Sequence, residues 1–588
     1  MSSEIAMRLS DQAKVLVSKF EDRVDSLSGR EDLLRITKEL DGSDANTFAR
    51  EYFGQGDFLA FGIDGSMSYD ERLQLMLFYA NATAYSCPFN VGGKISFDLR
   101  NVRRDAALSS SAAVPLWSED FSEVLPEMPE IDLELEHSVE KIPNGLMTLG
   151  ELYLAAKSLE RAKILFLDRP LSGTYSTLSR DVRLLIKRGQ SNLTKLSYDG
   201  KKVSMLDLRL ALYLGSPSMV LPTRRRFLLH RVLRELMKGR ASVEQLSRNL
   251  SARETEIEKA VKRIQKLDKE VGGTLLAHTG PGPIGLREEV KGYWERVVNL
   301  AARHARRVFE EDGHPLSVSR DEWLSVLDLN TLCFILLQRV CELAKQQKAL
   351  LVGIAKDTTA TDIYRAVLPL AVNQRLVTLK KSAPTLKNDR AFLTILSGMN
   401  DTLRTPWRTI GYDSALSTMI SSGDGGTFSS ARKYVSREQL FVRGFFQIRT
   451  LGGRGKVRSR VFLFDRPYDD AEDSRLITRV EVKERSGLTE VAPYFELADT
   501  SKLSNLVLHI LSLNDNQEVY EAFGHNQLLY LCDKAVKAEM RLMRGSLRAV
   551  ADLRLGTMSR RERLYGIGST YREDRSEMEE ARRVASKR

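Results

Sequence analysis

Phe58-Leu59-Ala60-Phe61-Gly62-Ile63-Asp64-Gly65-Ser66 is an apolar run that closes on an acid and a glycine. Its residue types predict a buried strand over 58–64, and Asp-Gly is the commonest chemistry for leaving a strand. The stretch therefore predicts a carboxylate held rigidly at a strand end. Such a carboxylate can fix a divalent cation, provided other acids arrive at the same place.

Working outward, the arrangement recurs. Lys163-Ile164-Leu165-Phe166-Leu167-Asp168-Arg169-Pro170 is a second apolar run ending on an aspartate and a breaker. Before it, Thr148-Leu149-Gly150-Glu151-Leu152-Tyr153 predicts a helix with Glu151 in its first turn. Leu350-Leu351-Val352-Gly353-Ile354-Ala355-Lys356 predicts a third buried strand, ending on a lysine. An apolar stretch within 71–89 predicts a partner for the first strand. The Ser-, Pro- and acid-rich residues 105–145 predict a surface loop. Residues 287–350 read as helical, and 360–440 as helices with a Gly/Ser loop at 421–426. Val461–Phe464 and Leu476–Val482 predict late strands, and 502–513 and 527–550 helices. Buried strands alternating with helices give an α/β fold.

Composition narrows the function. The chain has 588 residues, 42% hydrophobic and 28% charged, as a globular protein of two to four domains has. It carries no apolar run long enough to span a membrane and no apolar signal core at its start, which predicts a cytoplasmic protein with no membrane partner. The four cysteines form no CxxC pair, so a disulfide framework and a zinc ribbon are not expected. Cys333 and Cys341 are expected to share a helix as small apolar residues. There is no GxxxxGK[ST] loop, so any ATP-driven movement must come from a partner.

The net charge of +11 is concentrated in two places. Residues 221–270 carry 14 Lys/Arg against 7 Asp/Glu, and residues 541–588 carry 13 against 7. Two basic regions on a nearly neutral body suit a polyanion such as nucleic acid, although solvated helix faces also account for basic runs. The first region has its own organisation. A helical stripe at Leu229, Leu233, Leu236 and Met237 is followed by a capping box at Ser242–Gln245 and another at Ser251–Glu254. Gly272-Gly273-Thr274-Leu275-Leu276 and the Gly/Pro-rich 280–285 then fit a β-hairpin. Three helices and a hairpin is the order of a winged helix-turn-helix, used for DNA or for protein contacts. Arg253, Lys259, Lys262, Arg263 and Lys266 lie off the apolar stripe of the third helix and are the candidate DNA-binding residues.

The strand-end and helix acids make a set: Asp64, Glu151, Asp168 and, in the helix after Gly524-His525, Asp533. Each alone reads as a turn or helix-start acid. Converging, they form a hard oxygen site for Mg²⁺ or Mn²⁺, of the kind that clamps an in-line phosphoryl displacement. Lys356 stands where an ammonium would meet the phosphate, or simply at a solvent-facing strand end.

These stretches resemble the NurA family, nucleases that partner the hexameric HerA ATPase in prokaryotic DNA-end processing. Ile63-Asp64-Gly65-Ser66 looks like the family's first motif. Glu151 with Asp168 looks like its second, the strand ending in Lys356 like its third, and Arg479-Val480-Glu481 with Gly524-His525-Asn526 and Asp533 like its C-terminal end. Two departures stand out. The second motif usually reads Asp-Gly-Ser, whereas here it is Asp168-Arg169-Pro170, and His525 takes the place of a tyrosine in Gly-Tyr-Pro.

The resemblance implies an RNase H-like mixed sheet with flanking helices, a homodimer, and Mn²⁺ (or Mg²⁺) as cofactor. It implies 5′–3′ exonuclease and single-strand endonuclease activity on DNA, coupled to a HerA-like hexameric motor, in end processing or defence against foreign DNA. Asp64, Glu151, Asp168 and Asp533 would hold the metal, Lys356 would contact phosphate, and His525 would steer a proton or the phosphate. The expected organisation is a helical segment (1–50), a first part of the nuclease core (51–185) and a helical insertion (186–330) with its winged-helix-like segment at 224–286. A second part of the core (331–550) and a basic, mobile tail (551–588) follow. The alternatives are a non-catalytic DNA-binding adaptor using the winged helix and tail, and a structural scaffold.

Overall fold

Eleven strands among the described residues form one mixed sheet. In chain order they are β1 (Thr37–Glu39), β2 (Gly56–Arg72), β3 (Leu75–Val91), β4 (Ile95–Phe97), β5 (Arg103–Trp117), β6 (Ala162–Leu167), β7 (Leu350–Ala355), β8 (Trp407–Thr409), β9 (Tyr412–Asp413), β10 (Phe441–Gln447) and β11 (Phe462–Pro467). The computed structural model describes residues 10–557 apart from 16, 19–20, 23–24, 26, 28–29, 73–74, 118–119, 126–138, 278–281, 320–321, 379–385, 423–427, 430–436, 453–456, 485–486, 498 and 516–522. The expected tail beyond 557, the acid-rich part of the 105–145 loop at 126–138, and the Gly/Ser loop from 423 lie outside the described residues.

The strands run β1-β8-β10-β11-β7-β6-β2-β3-β4, with β5 also on β3 and β9 also on β10. At the centre, β5-β3-β2-β6-β7 is the RNase H-like order. β3 is antiparallel to both neighbours, whereas β2, β6 and β7 are mutually parallel. β6 beyond Lys163 and the whole of β7 are apolar because helices cover both their faces. Alternation sorts the side chains. Phe61, Ile63, Leu165, Leu167 and Leu351 join one core. Ala60, Ile164, Phe166, Val352 and Ile354 join the other.

The helices that matter are α1 (Gly42–Phe53), α2 (Lys141–Ser158), α3 (Leu171–Arg188), α4 (Met205–Tyr213), α5 (Leu228–Lys238), α6 (Val243–Leu250), α7 (Glu254–Glu270), α8 (Tyr293–Glu310), α9 (Val326–Gln346), α10 (Lys502–Leu513) and α11 (Gln527–Thr557). α2, α3 and α9 cover the first face. α1, α10 and the start of α11 cover the second. Helices α4 to α8 stand between β6 and β7 in the chain, and their buried apolar residues are continuous with the first core. Cys333 and Cys341 do share one helix, α9.

Several local expectations fail for physical reasons. β2 does not end at Asp64 but continues to Arg72, paired along its whole length with β3. Part of the presumed 105–145 loop is strand β5. Its buried positions include Ser110 and Ala112, so its alternation is weak in hydropathy, and Pro115 is tolerated because β5 is an edge. The N-terminal 50 residues are not all helical, since β1 pairs with β8. α2 begins at Lys141, which puts Glu151 in its middle rather than its first turn. Around Leu476 the chain forms a 3₁₀ turn, and the strand starts only at Val480.

In the insertion, Ser242 and Gln245 form the expected capping box. Ser251 instead closes α6 in a left-handed conformation, and Arg253 precedes α7 without a side-chain cap. After α7, antiparallel bridges Ala241 to Ile284 and Leu276 to Leu286 stand where the hairpin was expected. No helix among the described residues is long and apolar enough to cross a membrane.

Candidate metal centre

Parallel register decides what meets at the sheet's carboxyl edge. Ile63 pairs with Leu167, and Leu167 with Gly353. The next residues, Asp64, Asp168 and Ile354, therefore share a level and a face, and Lys356 follows two positions on along the same face. This face is the one covered by α11. Gly62 makes that approach possible, because a Cβ there would lie 2.6 Å from the Cβ of Leu528. One turn beyond Leu528, α11 delivers Asp533. One carboxylate oxygen from each of Asp64, Asp168 and Asp533 lies within 4.8 Å of the other two.

The electrostatics are those of acids short of positive charge. Burial, then the carboxylates of Asp168 and Glu151, push Asp64 up to about 9 against the opposing pull of Lys356, and Asp64 Oδ1 accepts the Gly65 amide at 2.8 Å. Lys356 is ion-paired with Asp168 and lies 3.9 Å from Asp533. Burial lowers its affinity for a proton, but Asp168, Asp64 and Asp533 outweigh that and leave it raised. Lys537, one turn after Asp533 on α11, pairs with it at 2.7 Å.

His525 is buried at 9% exposure, stacked on Phe462 with ring centroids 5.4 Å apart. Neither ring nitrogen has a hydrogen-bond partner among the described residues. Burial and Lys356 hold its pKa down at about 4, so the imidazole is neutral.

Glu151 arrives from the other side of the sheet. It projects from α2, where Gly65 rather than Asp64 faces it; a Cβ on Gly65 would sit 2.6 Å from Glu151 Oε1. That close approach, not a turn, is what the glycine after Asp64 serves. Glu151 is 2% exposed and ion-paired with Arg169, whose Nη1 donates to Thr148 Oγ1 at 2.9 Å. Burial raises the Glu151 pKa and Arg169 counteracts it.

The segment carrying Arg169 is anchored from behind. Asp465 accepts the Leu171 amide at 2.8 Å, the Ser172 amide at 2.9 Å and the Ser172 hydroxyl. Arg443 Nη2 donates to the same hydroxyl at 2.6 Å.

Of the residues singled out from sequence, Asp64, Asp168 and Asp533 converge, Lys356 lies against them, and His525 and Glu151 border them. Arg253, Lys259, Lys262, Arg263 and Lys266 are all exposed on and just before α7 and take no part in the acidic cluster. Sequence reasoning missed the part played by Arg169, noted only as a departure from a motif, and missed Lys537 and Asp465. The first two were readable, as the neighbour of one acid and the i+4 partner of another. Asp465 stands one residue beyond the predicted strand.

Three oxygens of this kind are a hard donor set that suits Mg²⁺ or Mn²⁺. The proton-hungry Asp64 among them fits a centre built for a cation.

No family model and no curated protein matches the chain. Among solved structures, similarity runs along nine-tenths of its length. Several of the structures it is similar to are of NurA. One is the NurA nuclease from Sulfolobus solfataricus, at 9% identity and a TM-score of 0.37 over 92% of this chain and 97% of that one. Another is NurA with manganese, at 11% identity and a TM-score of 0.33 over 92% and 98%. A third, NurA bound to dAMP and manganese, shows 12% identity and a TM-score of 0.34 over 90% and 92%.

Proposed function

We propose that the chain is a divalent-metal-dependent DNA nuclease. The observation that carries this reading is the convergence of Asp64, Asp168 and Asp533 at the carboxyl edge of three parallel strands, with Lys356 against them. Mn²⁺ or Mg²⁺ bound there would activate water and stabilise the leaving oxygen of a phosphodiester.

The chain's own groups do the rest. The Lys356 ammonium exchanges Asp168 for a phosphate oxygen of the substrate. The neutral His525 accepts or passes a proton beside the acids. The exposed cations of α7 hold the sugar-phosphate backbone without reading bases. The finer reading keeps 5′–3′ exonuclease and single-strand endonuclease activity, a homodimer, and a HerA-like hexameric translocase as partner, and its support is the sequence motifs that resemble NurA.

The test is degradation of linear DNA with Mn²⁺ by the wild type and by Asp64→Ala. Cleavage by the wild type and none by the variant is expected. A wild type that cleaves nothing with any divalent ion, with or without a motor partner, returns the chain to a DNA-binding adaptor. Cleavage that survives the loss of Asp64 refutes the site.

A further inference from the structure

Four acids border the centre, but they are not equivalent. Asp64, Asp168 and Asp533 share one face of the sheet, with oxygens close enough to hold one ion among them. Glu151 comes from the opposite face and is already met by a cation of the chain itself, the Arg169 guanidinium.

That cation is fixed in three ways. It follows the ligand Asp168 directly in sequence. Its Nη1 is tied to Thr148 Oγ1 at 2.9 Å. The start of α3, just after Pro170, is clamped by Asp465. A guanidinium does not lose its proton in proteins, so this positive charge is permanent. A centre with four free carboxylates has the donors for two bridged divalent ions. Here the fourth carboxylate is neutralised and the space beside it is positive.

We propose that Arg169 stands in for a second metal ion, so that the centre binds a single divalent cation between Asp64, Asp168 and Asp533, with Glu151 acting as the anchor of Arg169 rather than as a ligand. The inference rests on the metal-centre reading above and specifies its occupancy. The three oxygens of Asp64, Asp168 and Asp533 are the ligand group the centre itself offers, and Glu151 is not among them. Arg169 then supplies at Glu151 the positive charge that a second ion would otherwise bring.

The experiment counts Mn²⁺ on the full-length chain by titration calorimetry, checked by the loss of the free-Mn²⁺ signal in electron paramagnetic resonance. The wild type is expected to bind one equivalent in a saturable manner. Arg169→Gly frees Glu151 and is expected to bind two, and adding Glu151→Gln to it returns the count to one. Arg169→Lys keeps one equivalent, and so does Glu151→Gln alone. These last two variants keep the test decisive if Arg169→Gly fails to fold.

Two equivalents on the wild type, one on Arg169→Gly, two on Arg169→Lys, or loss of binding in Glu151→Gln overturns the inference while leaving the metal centre in place. No Mn²⁺ on the wild type overturns both.

Discussion

Replacing Asp64 by asparagine should stabilise the metal-free protein, and by an amount that grows with pH. In the unfolded chain an aspartate ionises near pH 4. In the native state Asp64 is pushed up to about 9, first by burial and then by Asp168 and Glu151. Between those values the native state holds a proton that the unfolded state has released. The native state therefore binds more protons, and stability falls as pH rises from about 4 to about 9.

At pH 7 about three pH units of that window have been crossed, at about 1.4 kcal/mol each, for a cost of about 4 kcal/mol. The figure at pH 7 does not depend on the native value as long as that stays above 7. Asparagine has the shape of the protonated acid and nothing to ionise, so Asp64→Asn removes the cost. Urea denaturation with divalent ions chelated, at pH 5 and at pH 8, measures it. The variant is expected to be more stable at both, by a margin several kcal/mol larger at pH 8. Saturating Mn²⁺ should then stabilise the wild type and not the variant. A difference that is absent, or the same at both pH values, would refute the charge-crowding argument.

Three further outcomes follow from the geometry. Gly65→Ala places a Cβ 2.6 Å from Glu151 Oε1 and 2.7 Å from Met147 Cγ, and should destabilise by about 1–3 kcal/mol in urea. Wild-type stability would show that Glu151 yields freely. Lys356→Met removes the ammonium facing Asp168 and should slow DNA cleavage at least about 100-fold, while the Asp64 pKa rises further. Unchanged cleavage would remove Lys356 from the site. Converting Lys259, Lys262, Arg263 and Lys266 together to alanine should weaken DNA binding uniformly across sequences. It should also flatten the salt dependence of binding by about one for each phosphate no longer neutralised. Binding that keeps its affinity and salt slope would place the DNA elsewhere.

Much of the centre was legible because its strands are buried on both faces. An unbroken apolar run has few positions for an acid or a lysine except its end, so Asp168 and Lys356 declared themselves, and the strand parity that unites them with Asp64 was implicit in the same runs. Asp64 itself was found for an incomplete reason. The glycine after it suggested a turn, whereas the backbone continues straight and the missing side chain makes room for Glu151.

What stayed hidden was which side of the sheet each acid approaches from. Glu151 and Asp533 look alike in sequence, as acids on helices. Only packing sends α2 to one face and α11 to the other. Strand β5 was missed because serine and alanine take two of its buried positions, Ser110 and Ala112, where a small side chain suits the close approach of α2; a Cβ on Gly150 would sit 2.9 Å from Ser110 Oγ. Arg169 was noticed as a departure from a motif, but its partner depends on that same two-sided packing.

The continuation of β2 past Asp64 also settles how the three converging acids differ in rigidity. Asp64 sits in the interior of a ladder, with β3 paired to it on one side and the Asp168 amide bonded to the preceding carbonyl of Ile63 at 3.2 Å on the other. Its amide should exchange with deuterium only on opening of the central sheet. Asp533 is carried by a helix outside that ladder. All three oxygens stand together without a cation, two of them held by the sheet and the third by α11 alone.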